Sequence, residues 1–310
     1  MEKKKSYIKY DITLSYFICY NKVMHFVTAK SILTPRSMNI YRGCTHGCIY
    51  CDSRSKCYQF THAFEDIEVK QNAPQLLEET LRRKRKRCMI GTGSMGDPYI
   101  PLEKELGLMR RCLEIIDRYG FGVTPQTKSD LILRDIDLLS SINKKARAVV
   151  QMTLTTADDE LCKKIEPGVC PTSRRFEVLK ACQEAEIPTV VWFSPLLPFI
   201  NDTRENVEGI VDYCVRAGVH AIICFGFGLS LREGNREYYY EALDKHFPGL
   251  KENYIKKYGY RYQVTSPHNQ RLWLYLKELC ERNNIMLGID SVFKWLEEFP
   301  EENPAQPSLF

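Results

Sequence analysis

The sequence predicts an α/β protein of six successive strand–helix units, with an N-terminal extension and a mainly helical C-terminal region. Three observations predict it. Short β-rich apolar runs alternate with helical patterns about every thirty residues between residues 38 and 226, as successive parallel βα units require. Pro188 and Gly218 punctuate the approaches to the last two runs. Small and hydroxyl residues end several of the runs, where ligands gather in folds of this class.

The strands are predicted at 38–42, 88–92, 122–126, 148–154, 189–194 and 221–226. Helices fall between them, at 74–85, 103–119, 131–142, 173–185 and 204–217. In the second helix Leu106, Met109, Arg110, Leu113 and Ile116 follow a three–four spacing, with Arg110 the lone polar member. Right-handed crossovers close six such units as a partial (β/α)6 barrel or as a doubly wound open sheet, and periodicity alone leaves both open. The expected division is an extension at 1–37, a core at 38–226 and a cover at 227–310. In the cover, helix 268–283 with Leu272, Leu276 and Leu279 reads as packing, and tyrosines interleaved with lysines read as an amphipathic cover over a barrel edge, with base stacking and phosphate neutralisation the alternative.

At 310 residues, 44% hydrophobic and 27% charged, the composition is that of a soluble globular protein. No apolar run is long enough to span a bilayer and no signal-peptide pattern opens the chain, so a cytoplasmic location without membrane contact is expected. Ten of the thirteen cysteines lie outside one short loop, most in apolar surroundings, as reduced core thiols do. The net charge is +5, but the run Arg82-Arg83-Lys84-Arg85-Lys86-Arg87 alone exceeds that. The basicity is local. It ends the helix entering the second strand, so it is expected at the bottom of a βα barrel as a solvated helix terminus, with nucleic-acid contact the sharper alternative.

The chemistry concentrates in Cys44-x3-Cys48-x2-Cys51, with Tyr50 before the last cysteine. Three thiolates at these gaps wrap a cubane iron–sulfur cluster and leave its fourth iron without a protein ligand. A structural zinc site is the alternative, completed by His46, Cys57 or His62, although zinc sites usually pair two knuckles and no second one follows.

In this form the loop resembles the cluster-binding loop of the radical S-adenosylmethionine (SAM) superfamily. The resemblance implies a partial (β/α)6 TIM-type barrel, with the cluster loop directly after the first strand. It also implies a 4Fe-4S cluster whose free iron chelates SAM, Tyr50 near the adenine, and reductive cleavage to a 5'-deoxyadenosyl radical. The end of the second strand, Gly91-Thr92-Gly93-Ser94-Met95-Gly96, contains G-x-G-x-x-G, but Asp97-Pro98 and Pro101 interrupt before the helix, which argues against a dinucleotide fingerprint. By the resemblance, Gly91, Thr92, Gly93 and Ser94 expose backbone to the SAM amino group. Lys128, after the third strand, pairs with the SAM carboxylate. Thr153 and Thr155, ending the fourth strand, offer hydroxyls to the ribose or methionyl group, and the loop 194–202 borders the adenine.

Tyr-Arg-Gly-Cys at 41–44, Gly-Asp-Pro-Tyr at 96–99, Thr-Lys at 127–128, Leu-Arg-Asp at 133–135 and Glu-Pro-Gly at 166–168 resemble the spore photoproduct lyase-like group. Two departures separate this chain from the DNA lyase itself. The lyase's hydrogen-donor cysteine falls where this chain has Gly93 and Ser94, and the lyase's tyrosine after the third cluster cysteine falls at Asp52. The expected function is a radical SAM enzyme that abstracts hydrogen from an unidentified substrate, served by a flavodoxin or ferredoxin type electron donor. The alternatives are a lyase-type DNA repair enzyme, and a non-catalytic zinc-stabilised nucleic-acid-binding protein.

Overall fold

A computed structural model describes residues 24–93 and 95–300. The chain opens with β1 (Met24–Val27), β2 (Leu33–Thr34), β3 (Ser37–Met38), β4 (Tyr41–Arg42) and β5 (Ile67–Lys70). α1 (Ala73–Arg83) leads to β6 (Met89–Thr92), and α2 (Glu103–Leu106) with α3 (Leu108–Tyr119) leads to β7 (Gly122–Thr127). Then come α4 (Ile136–Lys145), β8 (Val150–Thr153), α5 (Asp159–Ile165), α6 (Thr172–Glu184), β9 (Thr189–Trp192), α7 (Arg204–Arg216) and β10 (Ala221–Ile223). The remainder comprises β11 (Gly228–Ser230), α8 (Asn235–His246), α9 (Leu250–Tyr258), β12 (Gln263–Thr265), α10 (Asn269–Arg282), β13 (Met286–Leu287) and α11 (Ile289–Glu297).

The main sheet runs β13-β10-β9-β8-β7-β6-β3-β2, parallel throughout except for the edge strand β2. From β3 to β10 the strands follow chain order in one direction. A doubly wound sheet reverses order at a switch point; this one never does, so it is a partial barrel. β13 adds a seventh parallel strand that periodicity did not reveal, because only two residues of it pair.

The predicted first strand is broken in two. Ser37 and Met38 pair with β6, but Tyr41 and Arg42 pair with β5 in a second sheet, β1-β5-β4. Lys70 draws the chain off: its backbone N–H donates to the Ile40 carbonyl at 3.1 Å and its Nζ to the Asn39 carbonyl at 2.8 Å. The predicted helix 103–119 is likewise two helices, hinged at Gly107 with φ +60°. Arg110 departs from its apolar stripe because it reaches Asp135 and Asp137, at 3.1 and 2.8 Å.

The strands are buried on both faces, as parallel strands under crossover helices are. Ile90, Val123, Met152 and Val191 pack outward against Leu77, Leu113, Leu139 and Leu179 of the helices. Met89, Val149, Val190, Ala221 and Ile223 point the other way and meet Val292 and Leu296 of α11. That helix plugs the barrel bottom, where Trp295 stacks on His220 at 3.9 Å and lies under Arg147. The basic run lies at this same pole, beside the start of β6.

At the opposite pole the antiparallel pair β11–β12, with α8 and α9 between its strands in sequence, covers the barrel mouth. Tyr239, Tyr254 and Tyr258 are buried there, with Tyr239 donating to Tyr254 at 2.9 Å and Tyr254 to the Pro198 carbonyl at 2.8 Å. These tyrosines pack, while Tyr260 and Tyr262 stay exposed. Among the described residues no helix is long and apolar enough to cross a membrane.

Candidate active site

The cysteine loop begins at Gly43, whose φ of +95° favours glycine and whose Cβ position would lie 2.6 Å from the Phe64 carbonyl. Cys44 N–H donates to that carbonyl at 3.2 Å, and Cys51 N–H to the Cys48 carbonyl at 3.2 Å. Cys44, Cys48 and Cys51 thereby line one small cavity of about 100 Å³. Burial pushes the Cys44 thiol up to about 12, with the neighbouring Cys51 adding to it, and raises Cys48 further by the same cause. Three thiolates are stable there only around compensating positive charge, which a metal cluster supplies.

A loop of three sulfurs suits a cubane cluster with one open iron better than a four-ligand structural zinc site. The residues proposed to complete a zinc site are also engaged elsewhere: His46 on Asp97, His62 on Glu68, and Cys57 beside Arg232. All twelve described cysteines are free.

Two buried carboxylates hold the loop. Asp97, from the turn after β6, contacts His46 Nε2 at 3.0 Å, and accepts from Thr127 Oγ1 at 2.7 Å and from the Lys128 and Tyr99 backbone N–H groups at 2.8 Å each. It ties the first half of the loop to the ends of β6 and β7. Glu166, after α5, accepts from the Tyr50 hydroxyl and pairs with Arg175 of α6 at 2.5 Å. Arg175 is itself fully buried and donates to the Thr153 and Cys170 carbonyls. Pro167 lies against Gly47, and Gly168 N–H donates to the His46 carbonyl at 2.8 Å. A Cβ on Gly168 would stand 2.6 Å from that oxygen.

Of the residues expected to meet SAM, Tyr50, Gly93, Lys128 and Thr153 line the cysteine cavity. Lys128 Nζ lies 6.0 Å from the centre of the Tyr50 ring. Burial lowers the Lys128 pKa, but Cys48, Glu166 and Asp97 outweigh it and the net direction is upward, so the cation persists. Thr153 Oγ1 is buried without a hydrogen-bond partner, a donor free for a ligand. Gly93 has φ +98°, and a Cβ there would fall 2.3 Å from the Gln126 carbonyl.

Three expected contacts lie elsewhere. Gly91 and Thr92 sit within β6 and do not line the cavity, because Gly91 N–H is spent on the Arg36 carbonyl at 2.8 Å and Thr92 is buried in the strand. Thr155 is fully buried, with its hydroxyl 3.3 Å from Glu166. Ser94 lies outside the described residues. Of the loop 194–202, Ser194 and Pro195 line the larger cavity beside the cysteines, while Asp202 lines a separate one. Asp97, Glu166 and Arg175 are the residues that sequence reasoning left without a role; the Gly-Asp-Pro and Glu-Pro-Gly triplets were their only signal.

The small cavity adjoins a larger one of about 580 Å³, with Tyr50, Cys51, Gly93, Gln126 and Lys128 in both walls. Its far side is formed by Phe225, Phe227 and the β11–β12 pair.

An uncharacterized protein of Mycobacterium tuberculosis is 26% identical to this chain over 258 residues, covering 80% of it and 74% of the relative. An uncharacterized protein of Methanocaldococcus jannaschii is 31% identical over 187 residues, covering 57% and 69%. Among solved structures, spore photoproduct lyase complexed with dinucleoside spore photoproduct superposes with a TM-score of 0.60 at 13% identity, covering 85% of this chain and 81% of that one. The two share a fold. The sequence model of the radical SAM superfamily matches residues 38–214, more than half of the chain and all three loop cysteines. The chain therefore belongs to the radical SAM superfamily, whose enzymes use a 4Fe-4S cluster and S-adenosylmethionine.

Proposed function

We propose that this enzyme abstracts a hydrogen atom from a substrate held in the larger cavity, under the β11–β12 pair. The observation that carries this reading is the shared wall: the cavity holding the three thiols and the larger cavity meet at Tyr50, Gly93, Gln126 and Lys128. When bound, the cluster supplies the electron that breaks a carbon–sulfur bond of SAM and so yields the 5'-deoxyadenosyl radical.

The chain's own residues bind, orient and shield. Cys44, Cys48 and Cys51 hold the cluster, while Asp97 and Glu166 fix the loop that carries them. Lys128 offers its ammonium to the SAM carboxylate, and the backbone at Gly93 allows a ligand to approach closely because no side chain fits there. Phe225, Phe227, Leu229 and Val264 line the larger cavity and exclude water from a reactive radical. A flavodoxin or ferredoxin type protein is the proposed electron donor.

Lyase-type DNA repair is the second reading, favoured by the fold shared with a lyase complexed with dinucleoside spore photoproduct. Gly93 weighs against it, since its backbone and the Gln126 carbonyl leave no room for a cysteine.

Anaerobic reconstitution with iron and sulfide, followed by SAM and a strong reductant, tests the main reading. The expected product is 5'-deoxyadenosine, and a reconstituted cluster that yields none would sink it. Lys128→Met is expected to raise the KM for SAM by about tenfold or more while leaving iron content unchanged, the loss of a charge-assisted hydrogen bond. Deuterium transfer from labelled thymine-dimer DNA to 5'-deoxyadenosine separates the two readings.

A further inference from the structure

The small sheet beside the cysteine loop carries a donor cluster with no part in the chemistry above. His25 of β1 and Glu68 of β5 are register partners, and Arg42 of β4 stands opposite Glu68 on the other side. His62, from the turn before β5, projects onto the same row and meets the His25 ring edge to face at 4.9 Å. One donor atom each from His25, His62 and Glu68 lies within 4.8 Å of the other two.

We propose that His25, His62 and Glu68 bind a divalent metal ion of the zinc type and so fasten the N-terminal strand to the segment under the cysteine loop. Two imidazoles and a carboxylate are a borderline-soft donor set suited to zinc. Donors around tetrahedral zinc stand roughly 3.3 Å apart for bonds near 2 Å, a spacing these side chains reach by small adjustments.

The surroundings are prepared in the way metal sites are. His25 Nδ1 meets Asp66 Oδ1 at 2.9 Å, and His62 Nδ1 meets the Ala63 carbonyl at 2.9 Å. An oxygen on each Nδ1 fixes the tautomer that donates there and presents Nε2 to a metal. His62 Nε2 is 2.8 Å from Glu68 Oε1, so a proton between them now occupies the position a cation would take. Arg42 also holds Glu68 Oε1, at 3.0 Å, and is anchored by the Tyr58 carbonyl and the Phe60 ring, which fixes the carboxylate beside the two imidazoles. His25 is 40% exposed, which gives access from solvent and room for a water as fourth ligand.

Ordering this segment reaches the reaction centre by one step, since the Phe64 carbonyl receives Cys44 N–H and Phe64 lines the cysteine cavity. The role is structural and does not depend on the proposed reaction.

The test uses the reconstituted holoprotein equilibrated with micromolar free zinc and then desalted. About one zinc per chain is expected beyond the cluster iron, with zinc-edge X-ray absorption showing imidazole and oxygen scattering and no sulfur. His25→Ala and His62→Ala are each expected to lower retained zinc at least tenfold with iron unchanged. Asp66→Asn, which keeps all three ligands, is expected to weaken zinc by about 10–100-fold. Absence of zinc, sulfur scattering around it, or retention undiminished in both histidine variants overturns the proposal. Iron content and 5'-deoxyadenosine formation report separately on the cluster, so failure here and failure of the enzymatic reading are distinguishable.

Discussion

The two carboxylates that hold the cysteine loop do the same work with opposite electrostatics. Glu166 faces a permanent cation, Arg175, with both side chains wholly buried. Asp97 is held by His46, a hydroxyl and two backbone N–H groups. A buried ion pair is costly to break because either half alone is an uncompensated charge. A carboxylate held by an imidazole, a hydroxyl and backbone N–H groups, with no guanidinium on it, leaves behind mainly unmade hydrogen bonds. One anchor therefore fails abruptly and the other by degrees.

The largest expected effect comes from Glu166→Ala, which strands Arg175 and frees the Tyr50 hydroxyl. A loss of about 3–5 kcal/mol in urea unfolding is expected, with reduced iron uptake on reconstitution. Replacing both partners, Glu166→Leu with Arg175→Met, removes the stranded charge. The cycle is expected to show a coupling of about 1–3 kcal/mol, so that the double variant loses less than the two single variants added. Additive losses would mean that Arg175 is held mainly by the Thr153 and Cys170 carbonyls, and the contrast between the anchors would collapse.

Asp97→Asn probes the milder anchor. Asparagine keeps one acceptor, but its amide group turns a donor toward groups that now meet a carboxylate oxygen. A loss of about 1–3 kcal/mol is expected by the same unfolding measurement, smaller than that of Glu166→Ala. A larger loss for Asp97→Asn would reverse the ranking.

How much of this was legible in the sequence follows from what each residue needs. The barrel strands were, because burial on both faces writes continuous apolar runs such as Ala221–Ile223. The break after Met38 was not, since it depends on Lys70 reaching back to Asn39 from over thirty residues away. The gathering of Cys44, Cys48 and Cys51 at one cavity was legible because the three lie close together in sequence. Glu166 and Arg175 were not assigned, because a surface ion pair and a buried one look alike until the fold places them. Gly168 is similar: its necessity lies in the His46 carbonyl, more than a hundred residues upstream.

Acid titration gives the smallest effect and separates the anchors by cause. Burial pushes the Glu166 pKa up, but Arg175, Lys128 and the Tyr50 hydroxyl outweigh it, and the net direction is down. Burial opposes Asp97 in the same way, and His46 with the Lys128 N–H and Thr127 hydroxyl carries it below the ordinary carboxylate range. A carboxylate with a depressed folded pKa binds its proton more readily when unfolded. Its stabilisation is therefore complete only above about pH 5, well above the unfolded pKa, and is lost as pH falls through the folded pKa, with a slope of up to ~1.4 kcal/mol per pH unit for each group. Because acid releases cluster iron, the measurement is urea unfolding of the cluster-free protein on the acid side of neutrality. Asp97→Asn and Glu166→Gln are each expected to flatten the acid limb by part of one proton's worth. Added salt is expected to leave the Glu166 contribution nearly intact, since its cation is buried beside it and screening acts weakly there. An acid limb unchanged in either variant would remove that carboxylate from the account of what holds the loop.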